Sequence, residues 1–320
     1  MKRLFIIIIF IIAELSVWAY PIKPLTLRRL IIYSEFIVFA TVDNPFQASN
    51  TNMFYDESIG DSIQVLSNNI NEDGLADLII QEILKGEISS QIITVEYPAL
   101  LICPKPPSYP DKKTVITFLN KKDTSSIYNT SGLSYGSKIM DNEVELNEYK
   151  TRVIEFLNIL KISSHRKRKK ATIEWLVKCA EKESTRWEGS YELSRNAKFM
   201  LDYDESEYED FQKHLTQIQK DRLAVALFLT DTIRLGELYL ARVIDKKMHY
   251  RLRTYLINNL MRTNYYLVED VMSMIIRIEP NNELNRVFEN LKAISYGESE
   301  RGIKQKQLII EFMEIAKMNK

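Results

Sequence analysis

Phe36-Ile37-Val38-Phe39-Ala40-Thr41-Val42 decides how the first half of this chain folds. Every residue but Ala40 is β-branched or aromatic, so the stretch reads as a β-strand. Upstream, Leu25 to Tyr33 reads as a short amphipathic helix with Thr26 as its candidate cap. Downstream, Asp43 to Asp73 is a polar insertion with two Asn-rich patches, read as a long loop with one added strand around Ser62 to Leu66. Leu75 to Leu84 is the second barrel strand and ends at the turn Lys85-Gly86-Glu87. Gln91 to Tyr97 is the third. Pro104, Pro106, Pro107 and Pro110 then hold an extended loop, because proline removes ladder donors. Thr114 to Leu119 is the fourth strand, and the stretch around Leu133 to Ile139 is the fifth. Five short strands joined by irregular loops predict a small barrel or sandwich rather than a parallel sheet.

The chain changes character near residue 145. Beyond it, Pro280 is the only proline, and long segments carry helical periodicity. Tyr149, Val153, Leu157 and Leu160 share one face of a helix over about 145–161, and Ile173, Leu176, Cys179 and Ala180 repeat the pattern. Further helices are expected near 190–200, 206–229, 233–245, 247–262, 264–278, 281–294 and 303–318. Short links between successive helices predict an array or irregular bundle, and helix-pair repeats are one form it can take. The fold class is therefore α+β and multidomain: a leader over 1–19, a small β-barrel over 20–144 with its insertion at 43–73, and an all-α unit over 145–320; the OB-like form of the barrel is what the resemblance below implies.

Three segments carry a resemblance. They are Tyr33-Ser34-Glu35-Phe36-Ile37-Val38-Phe39-Ala40-Thr41-Val42, Ala76-Asp77-Leu78-Ile79-Ile80-Gln81-Glu82-Ile83-Leu84-Lys85-Gly86, and Val115-Ile116-Thr117-Phe118-Leu119. A helix stepping into a strand, a strand ending in Leu-Lys-Gly and a later strand ending in Phe-Leu resemble a barrel domain of secreted bacterial proteins. That domain is similar to the OB-type barrel of tissue inhibitors of metalloproteases and netrin modules. The resemblance covers about residues 25–140 and implies a barrel, not an activity. Metalloprotease inhibitors of that fold use an N-terminal cysteine to bind the catalytic zinc. Here the expected mature start is Tyr20-Pro21 and the nearest cysteine is Cys103, so the inhibitory group does not carry over.

Residues 1–19 place the chain. Lys2 and Arg3 precede the apolar run Leu4 to Ala13, and Val17-Trp18-Ala19 closes the segment. That order is a secretory signal peptide with cleavage after Ala19. The run is too short to span a bilayer, and no later window is apolar enough to do so. The expected localisation is extracytoplasmic, periplasmic or secreted. Lys and Arg number 43, as do Asp and Glu. With the leader removed, the balance stands one negative charge from neutral, and no global field steers the chain to nucleic acid or anionic lipid. Cys103 and Cys179 are the only cysteines. In an oxidising compartment they can form a disulfide; two buried, unpaired thiols are the other reading.

Few residues are arranged for chemistry. Gly132-Leu133-Ser134-Tyr135-Gly136 has the G-x-S-x-G spacing. Its flanks are neither a clear strand before nor a convincing helix after, so it reads as a glycine-flanked barrel turn rather than a nucleophile elbow. His165, His214 and His249 lack metal-ligand spacing. The acidic run from Asp202 to Asp210 has Glu207 and Lys213 where a calcium loop needs Gly and Glu. His165-Arg166-Lys167-Arg168-Lys169-Lys170 reads as a solvated hinge without the interleaved aromatics that bind single strands. Trp187 and Tyr191, spaced by four, are the binding candidates, with helix packing as their alternative role. Tyr250, Tyr255, Tyr265 and Tyr266 share that ambiguity.

These readings predict a non-catalytic extracytoplasmic binding or scaffold protein. It has no catalytic residue, metal ligand or cofactor identified in its sequence. Its partner would be another envelope or secreted protein, not nucleic acid. The alternatives are a hydrolase whose residues converge only in three dimensions, and a protease inhibitor suggested by the barrel.

Overall fold

A computed structural model describes residues 24–46, 53–56, 61–64, 74–98, 105–122, 126–194, 210–244, 248–294 and 301–318. The chain divides into two compact units, residues 1–153 and 154–320, with the division falling inside a helix.

In the first unit, helix α1 (Leu27–Tyr33) leads into β1 (Phe36–Phe46). A hairpin of β2 (Met53–Asp56) and β3 (Asp61–Gln64) follows. Then come β4 (Gly74–Lys85), β5 (Ile92–Tyr97), β6 (Thr114–Lys121), β7 (Ile127–Thr130) and β8 (Ser137–Met140). Strand β1 pairs antiparallel with both β4 and β6, β4 with β5, and β6 with β7, while β5 and β7 run parallel. The ladder therefore closes as β1-β4-β5-β7-β6-β1, a five-stranded barrel of OB-like connectivity. Register shifts between β1 and β4 at 37/38 and 39/40 let these long strands coil around the closure. Period-two alternation sends Val38, Ala40 and Val42 inward, where they meet Ala76, Leu78, Val95 and Val115.

Three expectations for this unit are corrected. The closing strand is Ile127–Thr130, not the 133–139 stretch. Residues Leu133–Tyr135 form a 3-10 turn, and β8 pairs with β6 outside the closed ladder. Ile127–Thr130 is short and polar-flanked, and its pairing with β5 is parallel and remote in sequence, so no local pattern announced it. The insertion also holds two paired strands rather than one, and β1 extends past Asp43 to Phe46. Thr26 occupies the N-cap position of α1, but its side chain accepts no capping bond.

The Leu-Lys-Gly ending of β4 has a physical cause. Lys85 Nζ donates to the carbonyls of Ile31 (2.7 Å) and Ser34, with Ile32 at 3.4 Å. The ammonium thus caps the C-terminus of α1. Burial holds its pKa below the usual lysine value, opposed by the charge of Glu35. Gly86 follows with φ +82°, and a Cβ there would lie 2.5 Å from the Phe36 ring.

The second unit is a helical array. α2 (Glu143–Leu160) crosses the division; α3 (His165–Glu181), α4 (Arg186–Leu193), α5 (Gln217–Phe228) and α6 (Leu235–Val243) follow. α7 (His249–Asn259), α8 (Val268–Ile278), α9 (Asn282–Lys292) and α10 (Arg301–Met318) complete it. Stacked pairs organise it: α3 packs on α4 and α5, α4 on α6, α7 on α8 and α10, and α8 on α9. The pairs starting at 217, 249 and 282 are evenly stepped, whereas α3 and α4 lie further back behind a long connection.

Several helix starts differ from the periodicity reading. The basic run at 165–170 is not a hinge but the first two turns of α3. Residues 206–209 of the helix expected over 206–229 lie outside the described residues; among those described it begins at Gln217, where Thr216 and Gln219 form a capping box (3.3 and 3.0 Å). Of the helix expected near 190–200, residues 195–200 lie outside the described residues; the described part belongs to a helix that begins earlier, at Arg186.

Candidate functional site

Helix α4 divides its residues between two environments. Arg186 points inward and donates to Glu237 of α6 at 2.6 Å; each side chain is only 6% exposed. The same guanidinium donates to the carbonyls of Ala180 (3.2 Å) and Glu181 (3.4 Å) and so satisfies the end of α3. Glu237 also accepts the backbone N–H of Arg234 at 3.0 Å, which fixes the start of α6. Two close backbone approaches permit this packing. A Cβ on Gly189 would lie 2.2 Å from the Leu176 carbonyl oxygen, and one on Gly236 would lie 3.2 Å from the Trp187 nitrogen.

One residue on, Trp187 turns away from that pair and is half-buried. Its ring stacks on Tyr191 at 5.3 Å with planes 24° apart, as i,i+4 spacing on a helix allows. Tyr239 of α6 meets Tyr191 edge-on, 5.1 Å between centroids and 85° between planes. The Arg242 guanidinium lies 5.2 Å from the Tyr239 ring centre and donates to Asp270 of α8 at 3.1 Å. Burial raises the Tyr239 pKa, with Arg242 opposing and Asp270 adding. Its phenol is therefore neutral at physiological pH. The result is a ladder of three rings and a guanidinium crossing α4 and α6 and tied to α8. Trp187 and Tyr239 are half-buried within it, while Tyr191 is buried.

Trp187 and Tyr191 are thus brought together, and Tyr191 serves packing. Tyr239, Arg242 and Asp270 were missed by sequence reasoning; the i,i+3 spacing of Tyr239 and Arg242 on a helix was the available signal. Cys179 is buried on α3 at the Gly189 contact, and Cys103 lies outside the described residues, as do residues 202–209 of the acidic run. Ser134 sits in the 3-10 turn between β7 and β8, so strand leads to turn and back to strand rather than into a helix. His165, His214 and His249 lie on three separate elements. Tyr265 and Tyr266 form an exposed edge-to-face pair at 5.6 Å. Tyr255 is instead buried and shares a 2.6 Å hydrogen bond with Thr230. Among the described residues, no cluster of His, Cys, Asp and Glu could hold a metal ion, and no helix is long and apolar enough to cross a membrane.

No family model, curated protein or solved structure matches the chain.

Proposed function

We propose that this chain is an extracytoplasmic, non-catalytic binding or scaffold protein whose helical unit supplies the recognition surface. One observation carries the reading: the ladder of Trp187, Tyr191, Tyr239 and Arg242 on stacked helix pairs. Half-buried Trp and Tyr rings beside an Arg are the side chains that dominate binding energy at protein interfaces. Stacked helix pairs present such residues on an extended, rigid face. The partner that suits it is another envelope or secreted protein. The extracytoplasmic placement rests on the leader sequence, Lys2-Arg3 followed by Leu4 to Ala13.

The test uses the tagged full chain and a variant carrying Trp187→Ala and Tyr239→Ala. Both are expressed in the source cell and recovered after crosslinking from the envelope. Partners recovered with the parent should be absent with the variant, at equal abundance of the two chains. Identical partner sets would remove the ladder as the recognition surface. N-terminal sequencing of the same material should read Tyr20-Pro21; a chain beginning at Met1 would count against export by cleavage.

A further inference from the structure

From Phe156 to Ile173 the chain contains no acidic residue. It contains Lys161, Arg166, Lys167, Arg168, Lys169 and Lys170. Lys161 lies in the α2–α3 turn, and the other five occupy the first two turns of α3. Elsewhere in the helical unit, five arginines are tied to carboxylates on other segments of the chain. Arg186 pairs with Glu237, Arg222 with Glu174 and Glu181, Arg242 with Asp270, Arg253 with Glu279, and Arg286 with Glu311. Arg166, Lys167, Arg168 and Lys170 make no ion pair among the described residues. Arg166, Lys167 and Lys170 are exposed. Arg166 and Lys167 stand four and three residues from Lys170, spacings at which like charges repel on a helix.

The same turn carries apolar side chains. Ile159, Leu160 and Ile162 are only half-buried, and Ile154, a little further back on α2, is exposed. Apolar residues in a turn followed by Lys and Arg, with no acid in the chain from Phe156 to Ile173, fit the interface of a bilayer. There the cations meet headgroup phosphates while the apolar groups enter the acyl boundary. A nucleic-acid strand would leave those isoleucines unused, and no aromatic ring lies among the cations to stack on a base.

We propose that the α2–α3 turn is a peripheral docking site for a membrane surface rich in anionic phospholipid. The cations Lys161, Arg166, Lys167 and Lys170 supply the attraction, and Ile159, Leu160 and Ile162 supply shallow insertion. The site is distinct from the aromatic ladder, and the two can fail separately.

Flotation of the full chain with phosphatidylcholine vesicles, alone or mixed with phosphatidylglycerol, tests it. The leader contributes equally to parent and variants, so the informative quantity is their difference. Arg166→Gln, Lys167→Gln and Lys170→Gln together should lower partition onto the anionic vesicles by about tenfold or more. The parent's binding should weaken steeply with added salt. Lys167→Arg with Lys170→Arg should retain binding, and Ile162→Ser should weaken it while leaving the salt dependence unchanged. Trp187 and Tyr239 are intact in every variant, so partner recovery by the ladder reports separately, and circular dichroism checks that α3 persists. Equal partition of parent and triple variant overturns the proposal. So does tight binding of inorganic polyphosphate without preference for anionic vesicles.

Discussion

Arg186 and Trp187 are neighbours in the chain, yet one ends in a sealed ion pair and the other in a half-buried stack. Glu237→Gln removes the negative partner while keeping the hydrogen-bonding shape, leaving a buried guanidinium without its counter-charge. The expected cost is about 3–5 kcal/mol, whereas Arg186→Met with Glu237→Leu should recover most of it. Beyond Trp18, the only tryptophans are Trp175 and Trp187, so fluorescence-detected urea unfolding reads the helical unit selectively. Tyr109 offers a second residue-scale test, in the barrel. Its hydroxyl bonds Thr117 (2.8 Å) and Thr130 (2.5 Å), and burial pushes its pKa up to about 12, with those hydroxyls opposing the shift. The folded form keeps its proton where the unfolded form loses it. That contribution to stability is therefore complete below pH ~10 and lost as pH rises towards about 12. Tyr109→Phe should flatten the alkaline fall in barrel stability, as measured by urea midpoints across that range. Trp187 and Tyr191 were legible as a pair because i,i+4 spacing is local; their third ring and the guanidinium lie on another helix, and no local spacing connects them.

At the scale of elements, glycines separate tight sites from open ones. Gly86→Ala would force a Cβ into the Phe36 ring at positive φ and should cost the barrel about 1–3 kcal/mol. Gly302, in the first turn of α10, has open space around its position, so Gly302→Ala should be neutral or stabilise by up to ~1 kcal/mol. Thermal melts followed by circular dichroism, set against the parent, check both signs. Most strands and helices with strong periodicity were legible, but not all of their ends. Their ends moved where a side chain capped the backbone, as Thr216 and Gln219 do at α5.

At the scale of the molecule, a stacked helical array loses stability piecewise, because each helix contacts only its neighbours. Phe312 of α10 is fully buried, and Phe312→Ala should cost about 3–5 kcal/mol at that end. Hydrogen exchange should then show protection lost chiefly in α9 and α10, less in α3 and α4, and not in the barrel strands. Equal loss throughout would mean a single cooperative core instead. The sequence by itself determined that a β-rich half precedes a helical one, and where most strands and helices lie. Those properties follow from short-range patterns: period two, period 3.6, proline and cap placement. Only the tertiary structure decided that Ile127–Thr130 closes the barrel beside β5, that Arg186 and not Trp187 is sealed, and that the basic run is helical. The first two depend on contacts between residues far apart in the chain, and no local spacing encodes which remote partner a strand, an ion or a ring will meet.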